Sequence, residues 1–185
     1  MIDATVAMLL LQPNAAVPPM PDGAPVERPA DRVNHLIGEL DARGETVLLP
    51  TPALAEVLVR VDPKAAGRIV EQIGRHWAIR IEAFDVRAAL EVAAMTRDGR
   101  DRPDPRDVQT TWAKLKYDRQ IVAIAKVNRA AMIYSDDRGV RTVAERAGVD
   151  VQGLVDLPLP PEKPARERAQ LVRDDQIDLL DGGRG

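Results

Sequence analysis

Several acids in this chain stand where acids are costly. Asp118 opens the stripe Asp118, Ile121, Val122, Ala125, spaced i, i+3, i+4, i+7. A helix with that spacing turns all four side chains to one face, so a carboxylate occupies a position suited to an apolar residue. A buried carboxylate must find a cation or become neutral. Taken singly, Asp118 also fits a helix N-cap or an ion pair with Lys116 or Arg119. Asp3 lies in the apolar run MIDATVAMLLL, where aspartate is disfavoured in a strand; singly, it also fits a strand end facing water. Asp136 and Asp137 directly follow the β-prone run Met132–Tyr134, and a helix cap before Val140 would use the same position. Glu56 stands off the stripe Leu54, Val57, Leu58, Val61 and reads as a solvated glutamate, recommended only by its early place in a helix that follows a strand.

Together the acids say more. Carboxylates gathered at one edge repel each other and resist ionisation, and a divalent cation relieves them. An all-oxygen site suits Mg²⁺ or Mn²⁺ rather than zinc. Such a cation polarises a phosphoryl oxygen, lowers the pKa of bound water and neutralises the leaving oxygen. Chemistry at a phosphoryl group is what such a site would support. With only His35 and His76, the chain offers little for a paired-histidine ribonuclease.

Those acids need elements to position them. Residues 1–11 read as a buried first strand, and the six prolines of residues 12–29 as a stiff loop of the kind that serves as lid or binding element. Val33, Leu36, Ile37 and Leu40 mark a helix that Gly44 stops. Thr46–Leu49 is β-rich. Thr51 and Pro52 then open a helix, and Asp62-Pro63 opens the next, with Ala66, Ile69, Val70 and Ile73 as its stripe. Trp77–Ile81 alternates as a strand. Asp85 caps a helix with Val86, Ala89, Leu90 and Ala93 inward. Residues 96–107 form a charged excursion. Asp118–Ala130 is a helix and Met132–Tyr134 a strand; Val140, Val143, Ala144 and Ala147 mark a last helix, and Val149–Val151 a last strand. Strands alternating with helices imply a parallel sheet covered on both faces, with ligands beyond the carboxyl ends of its strands. The domain is read as residues 1–156, followed by a Pro- and charge-rich, disordered tail over 157–185.

Composition bounds the rest. The chain has 185 residues, 45% hydrophobic and only 3% aromatic, enough for one α/β domain with an aliphatic core. The absence of cysteine excludes disulfides and thiolate metal sites and fits a cytoplasmic location. The N-terminal apolar run is a poor signal peptide and too short to span a membrane. A net charge of −3 argues against gripping long nucleic acid by bulk charge and leaves room for a local basic groove.

Four segments, MIDATV, TPALAEVL, YDRQIVAIA and IYSDD, occur in an order and context that resemble the PIN-domain family, over roughly residues 1–152. Many of its members are VapC-type toxins of toxin–antitoxin pairs. The resemblance implies a three-layer α/β/α sandwich around a parallel sheet of four or five strands. It implies Asp3, Glu56, Asp118 and Asp137 as acids for Mg²⁺ or Mn²⁺, with Ser135 supporting them and Asp136 at a variable position. The implied activity is an endoribonuclease leaving a 5′ phosphate and a 3′ hydroxyl. The implied partners are RNA, a small antitoxin that blocks the cleft, and a second copy of the chain. Lys114, Lys116, Arg119, Arg138 and Arg141 are candidates for phosphate contacts. The long loop 12–29, the excursion 96–107 and the tail exceed a minimal member of the family. Two alternatives stay open: a PIN-fold module that binds RNA or protein with little catalysis, and a DNA flap-type nuclease. An aspartate-nucleophile phosphatase would need a second acid after Asp3-Ala4, where the chain has Thr5.

Overall fold

The computed structural model describes residues 1–20, 22–76, 78–97 and 112–161. These form a mixed α/β fold with seven α-helices and short parallel strand pairs. The helices are α1 (Ala4–Leu11), α2 (Pro29–Ala42), α3 (Thr51–Arg60), α4 (Pro63–Arg75), α5 (Val86–Arg97), α6 (Trp112–Val127) and α7 (Arg138–Ala147). The strands are β1 (Val47–Pro50), β2 (Ile79–Glu82), β3 (Ile133–Tyr134) and β4 (Val151–Gln152), and a short 3-10 turn follows at Leu154–Asp156. Trp77, residues 98–107 of the expected excursion and the tail from residue 162 lie outside the described residues.

β1 pairs in parallel with β2, Val47 opposite Ile79, and β3 pairs in parallel with β4. Met1–Asp3 links the two pairs. The Ile2 N–H donates to Leu48 O at 2.9 Å, the Tyr134 N–H to Met1 O at 2.8 Å and the Asp3 N–H to Tyr134 O at 3.2 Å. Side chains along an extended segment alternate sides, and here they alternate between two apolar clusters. Ile2, Val47, Leu49 and Tyr134 belong with α1–α4, whereas Met1, Leu48 and Ile133 belong with α6 and α7.

The expected first strand over residues 1–11 is corrected. Strand pairing stops at Ile2, and Ala4–Leu11 is a helix. A continuous apolar run has no period to separate a buried strand from a buried helix. Ala, Met and Leu favour the helix, and the Asp3 carboxylate caps it by accepting the Val6 N–H at 2.9 Å. Helix α5 is the second correction. Val86 and Leu90 are 76% and 67% exposed, while Ala88 is buried and Val92 and Met95 pack inward. Both faces of this helix carry an apolar stripe, and α6 covers the one through Ala88.

Elsewhere the spacing holds. Val33, Leu36, Ile37 and Leu40 are all buried. Asp62 caps α4 through the Lys64 N–H, Asp85 accepts the Ala88 N–H, and Gly148 ends α7 with φ 72°. Helix α6 begins six residues before Asp118, so that residue is mid-helix and not a cap. Leu154 and Leu157 complete the core, and the Arg32 guanidinium on α2 donates to the carbonyls of Val155 and Leu157. Among the described residues no helix is long and apolar enough to cross a membrane.

Candidate functional site

The site is built from the Met1–Asp3 segment, the β3–α7 turn and the middle of α6. Asp3 is 4% exposed, since its N–H closes the short pairing of Ile2 by donating to Tyr134 O and the chain then turns into buried α1. One carboxylate oxygen caps α1; the other accepts the Ser135 hydroxyl at 2.5 Å. Burial lifts the Asp3 pKa to about 6, with the Ser135 and Val6 donors pulling down and Asp136 and Asp137 pushing up.

Ser135 is fully buried directly after β3, its N–H held by Gln152 O on β4. Its Oγ also accepts the Asp137 N–H at 3.0 Å. One hydroxyl therefore joins the first acid to the turn that carries the last. Ser135→Ala leaves both partners short of a hydrogen bond in a dry place. The expected cost is about 1–3 kcal/mol of stability, read by urea denaturation. An unchanged midpoint would mean that the hydroxyl holds nothing.

Asp137 caps α7: its Oδ1 accepts the Gly139 N–H at 2.7 Å and the Val140 N–H at 3.2 Å. The position serves as the helix cap anticipated for it, and Oδ2 remains for other work. That oxygen lies 3.2 Å from the Lys114 ammonium.

Asp118 meets this group across Gly139. It is 4% exposed, and its Oδ2 is buried with no hydrogen-bond partner. A Cβ on Gly139 would overlap that oxygen and stand 2.9 Å from the Asp118 carboxyl carbon and 3.1 Å from Asp137 Oδ1. The absence of a side chain on Gly139 is what lets α6 bring its carboxylate to the α7 terminus. Burial first, then the Asp137 charge, raises the Asp118 pKa to about 7; Lys114 opposes this and Glu56 adds to it.

The other predicted residues fall further out. Glu56 is partly exposed, 3.8 Å from Arg60, and acts on Asp118 only through space. Asp136 is engaged through one oxygen: its Oδ1 accepts the Leu154 N–H at 3.0 Å, anchoring the 3-10 turn, while its charge acts on Asp3 and its Oδ2 is buried without a hydrogen-bond partner. Its own pKa is raised by burial, with the Leu154 N–H and Arg141 opposing and Asp156 adding. Lys114, Lys116 and Arg138 are exposed near the α6 and α7 ends of the site. Arg119 is not a surface cation. It is 2% exposed and donates to Thr96 Oγ1 on α5, so a phosphate-contact role does not suit its position.

Gly139 escaped the sequence reading. Its signal is faint: a glycine in the first turn of a helix, one residue removed from an Asp pair. Lys114 was read only as a phosphate contact, and its pairing with Asp137 depends on how α6 docks on α7.

Divalent metal is the cofactor the acids suggest. The donors are all oxygen, and a buried carboxylate oxygen lacks a partner, which fits Mg²⁺ or Mn²⁺ in kind. Among the described residues no three acidic or histidine side chains converge as a ready-made cage. Asp3 and Asp137 are each half engaged in capping a helix. No protein-family model matches the chain, and no curated protein matches it.

Proposed function

We propose that this protein is a PIN-type, divalent-metal-dependent endoribonuclease. The observation that carries the reading is the buried, unpartnered Oδ2 of Asp118, set against Asp137 across a glycine gap. A buried carboxylate held against a second one, with only the half-exposed Lys114 ammonium at the rim beside them, is costly unless the site exists to bind a cation. The fold supports the same reading. The two strand pairs and Met1–Asp3 read as one five-stranded parallel sheet in the order β2, β1, Met1–Asp3, β3, β4. The alternation of side chains between two apolar clusters suits helical layers on both faces.

In this reading Asp118, Asp137 and Asp3 hold Mg²⁺ or Mn²⁺, with Glu56 reaching in from α3. The chemistry such an ion supplies is polarisation of a phosphoryl oxygen and neutralisation of the leaving oxygen. Ser135 fixes Asp3 relative to Asp137. Arg138, exposed on the first turn of α7, stands where a phosphate backbone could lie. A toxin role, with a small antitoxin and a second copy of the chain as partners, rests on the resemblance alone.

The test is cleavage of a labelled single-stranded RNA pool with Mg²⁺ or Mn²⁺, with EDTA, and with Asp118→Asn. Metal-dependent cuts bearing 5′ phosphates, reduced at least about 100-fold in the variant, are expected. Cuts that persist in EDTA would overturn the mechanism. Metal uptake and RNA binding without cutting would favour the binding-module reading, which the half-engaged acids also suit. Cutting confined to branched DNA would favour the flap-nuclease reading.

A further inference from the structure

Lys114 sits one helical turn before Asp118 on α6, so the two side chains project to the same side. There they meet the N-terminus of α7. The Lys114 ammonium lies 3.2 Å from Asp137 Oδ2, the one oxygen that the helix cap leaves over. The same charge pulls against the burial and repulsion that Asp118 feels. Lys116, two residues further on, falls on the other side of the helix and is exposed.

We propose that Lys114 is a tethered counter-cation: its ammonium holds Asp118 and Asp137 together in the metal-free protein and leaves Asp137 Oδ2 when a divalent ion takes that oxygen. The inference rests on the metal-binding reading above. It explains how a chain with a buried, unpartnered carboxylate oxygen at Asp118 can fold before metal arrives. It also explains why the partner is a lysine at the rim. A half-exposed ion pair is weak, so a divalent ion can displace it. The flexible stem lets the ammonium swing aside without moving α6. Lys114 is thereby a positioning residue for the empty site and a competitor for the filled one.

The experiment is Mn²⁺ binding to the full chain, by calorimetry and by the paramagnetic signal of free Mn²⁺. It compares wild type, Lys114→Met, Lys114→Arg and Lys116→Met. Lys114→Met is expected to bind Mn²⁺ about two- to fivefold more tightly, the range set by removing an exposed ion pair. Its metal-free melting temperature is expected to fall, and Mn²⁺ to raise it by more than in wild type. Lys114→Arg and Lys116→Met are expected to bind as wild type does. Equal or weaker binding by Lys114→Met, with wild type binding normally, overturns this inference and leaves the proposed function standing. An equal gain in Lys116→Met also overturns it, since bulk charge would then be the cause. No Mn²⁺ uptake by any of the four proteins overturns both.

Discussion

Gly139→Ala is expected to fold and to lose divalent-cation affinity by at least about tenfold. In an ordinary helix the change would stabilise, since alanine is the better helix former by about 1 kcal/mol. Here the added methyl overlaps Asp118 Oδ2 and crowds Asp137 Oδ1. The cheapest escape is rotation of the Asp118 carboxylate, because the alternative is to part α6 from α7 and open a core that includes Val122, Ile124, Val140 and Val143. The carboxylate therefore leaves the position in which it faces Asp137. A melting temperature close to wild type, with Mn²⁺ binding and RNA cleavage both lost, is the expected pattern. Wild-type Mn²⁺ affinity in a folded Gly139→Ala would show that the Asp118–Asp137 approach is not what binds metal.

The second large effect is on stability against pH. Asp118 has a folded pKa of about 7 and Asp3 of about 6, against 3.8 for an ordinary aspartate. Between pH 4 and 7 the native protein therefore keeps protons that the unfolded chain has released. Stability from these groups is full below the unfolded value and is lost as pH rises through the folded ones. The buried Met1 ammonium, its pKa lowered to about 5 by desolvation, works in the opposite sense over the same range, so the effect of the acids is read as a difference between wild type and Asp118→Asn. Asp118→Asn keeps that position neutral and leaves the amino terminus as it is, so metal-free wild type is expected to lose melting temperature relative to the variant between pH 5.5 and 8, by on the order of 5 °C. Adding Mn²⁺ reverses the loss, because only wild type gains. The same protons compete with the ion, so Mn²⁺ affinity should climb between pH 5.5 and 7.5. Parallel melting profiles for the two metal-free proteins across this range would overturn the picture of a strained carboxylate.

The parts of this fold that could be read from sequence are those written in local chemistry. Periods of 3.6 and terminal residues locate α2, α4 and α7, because each has one apolar face and a legible end: Gly44 after α2, Asp62-Pro63 before α4 and Gly148 after α7. Helix α1 was hidden, since a run apolar on every side carries no period. Helix α5 was found with its faces exchanged, because Val86–Leu90 and Ala88–Val92 are equally good stripes and only the docking of α6 chooses between them. The site divides in the same way. Asp3, Asp118 and Asp137 could be found because an acid in an apolar context or after a strand is conspicuous by itself. Gly139 could not, since the need for a bare Cα arises where two helices meet. Arg119, next to Asp118, reads from sequence as a surface charge, because the stripe understates the inward face of α6, which is buried from Ile121 through Ala125 without a gap.

The hydrogen bond between Asp3 and Ser135 spans 132 residues of chain. The Ser135 backbone is in turn fixed by Gln152. A ribosome adding roughly 5–20 residues per second needs on the order of ten seconds to pass from the first of these residues to the last. Throughout that time the nascent chain carries its N-terminal acid with nothing to complete it. Products of broken messages and stalled synthesis are expected to be inert for the same reason, even when they include Asp3, Glu56 and Asp118. Under the proposed function, the chain is in this way kept from acting on the transcript that is still encoding it.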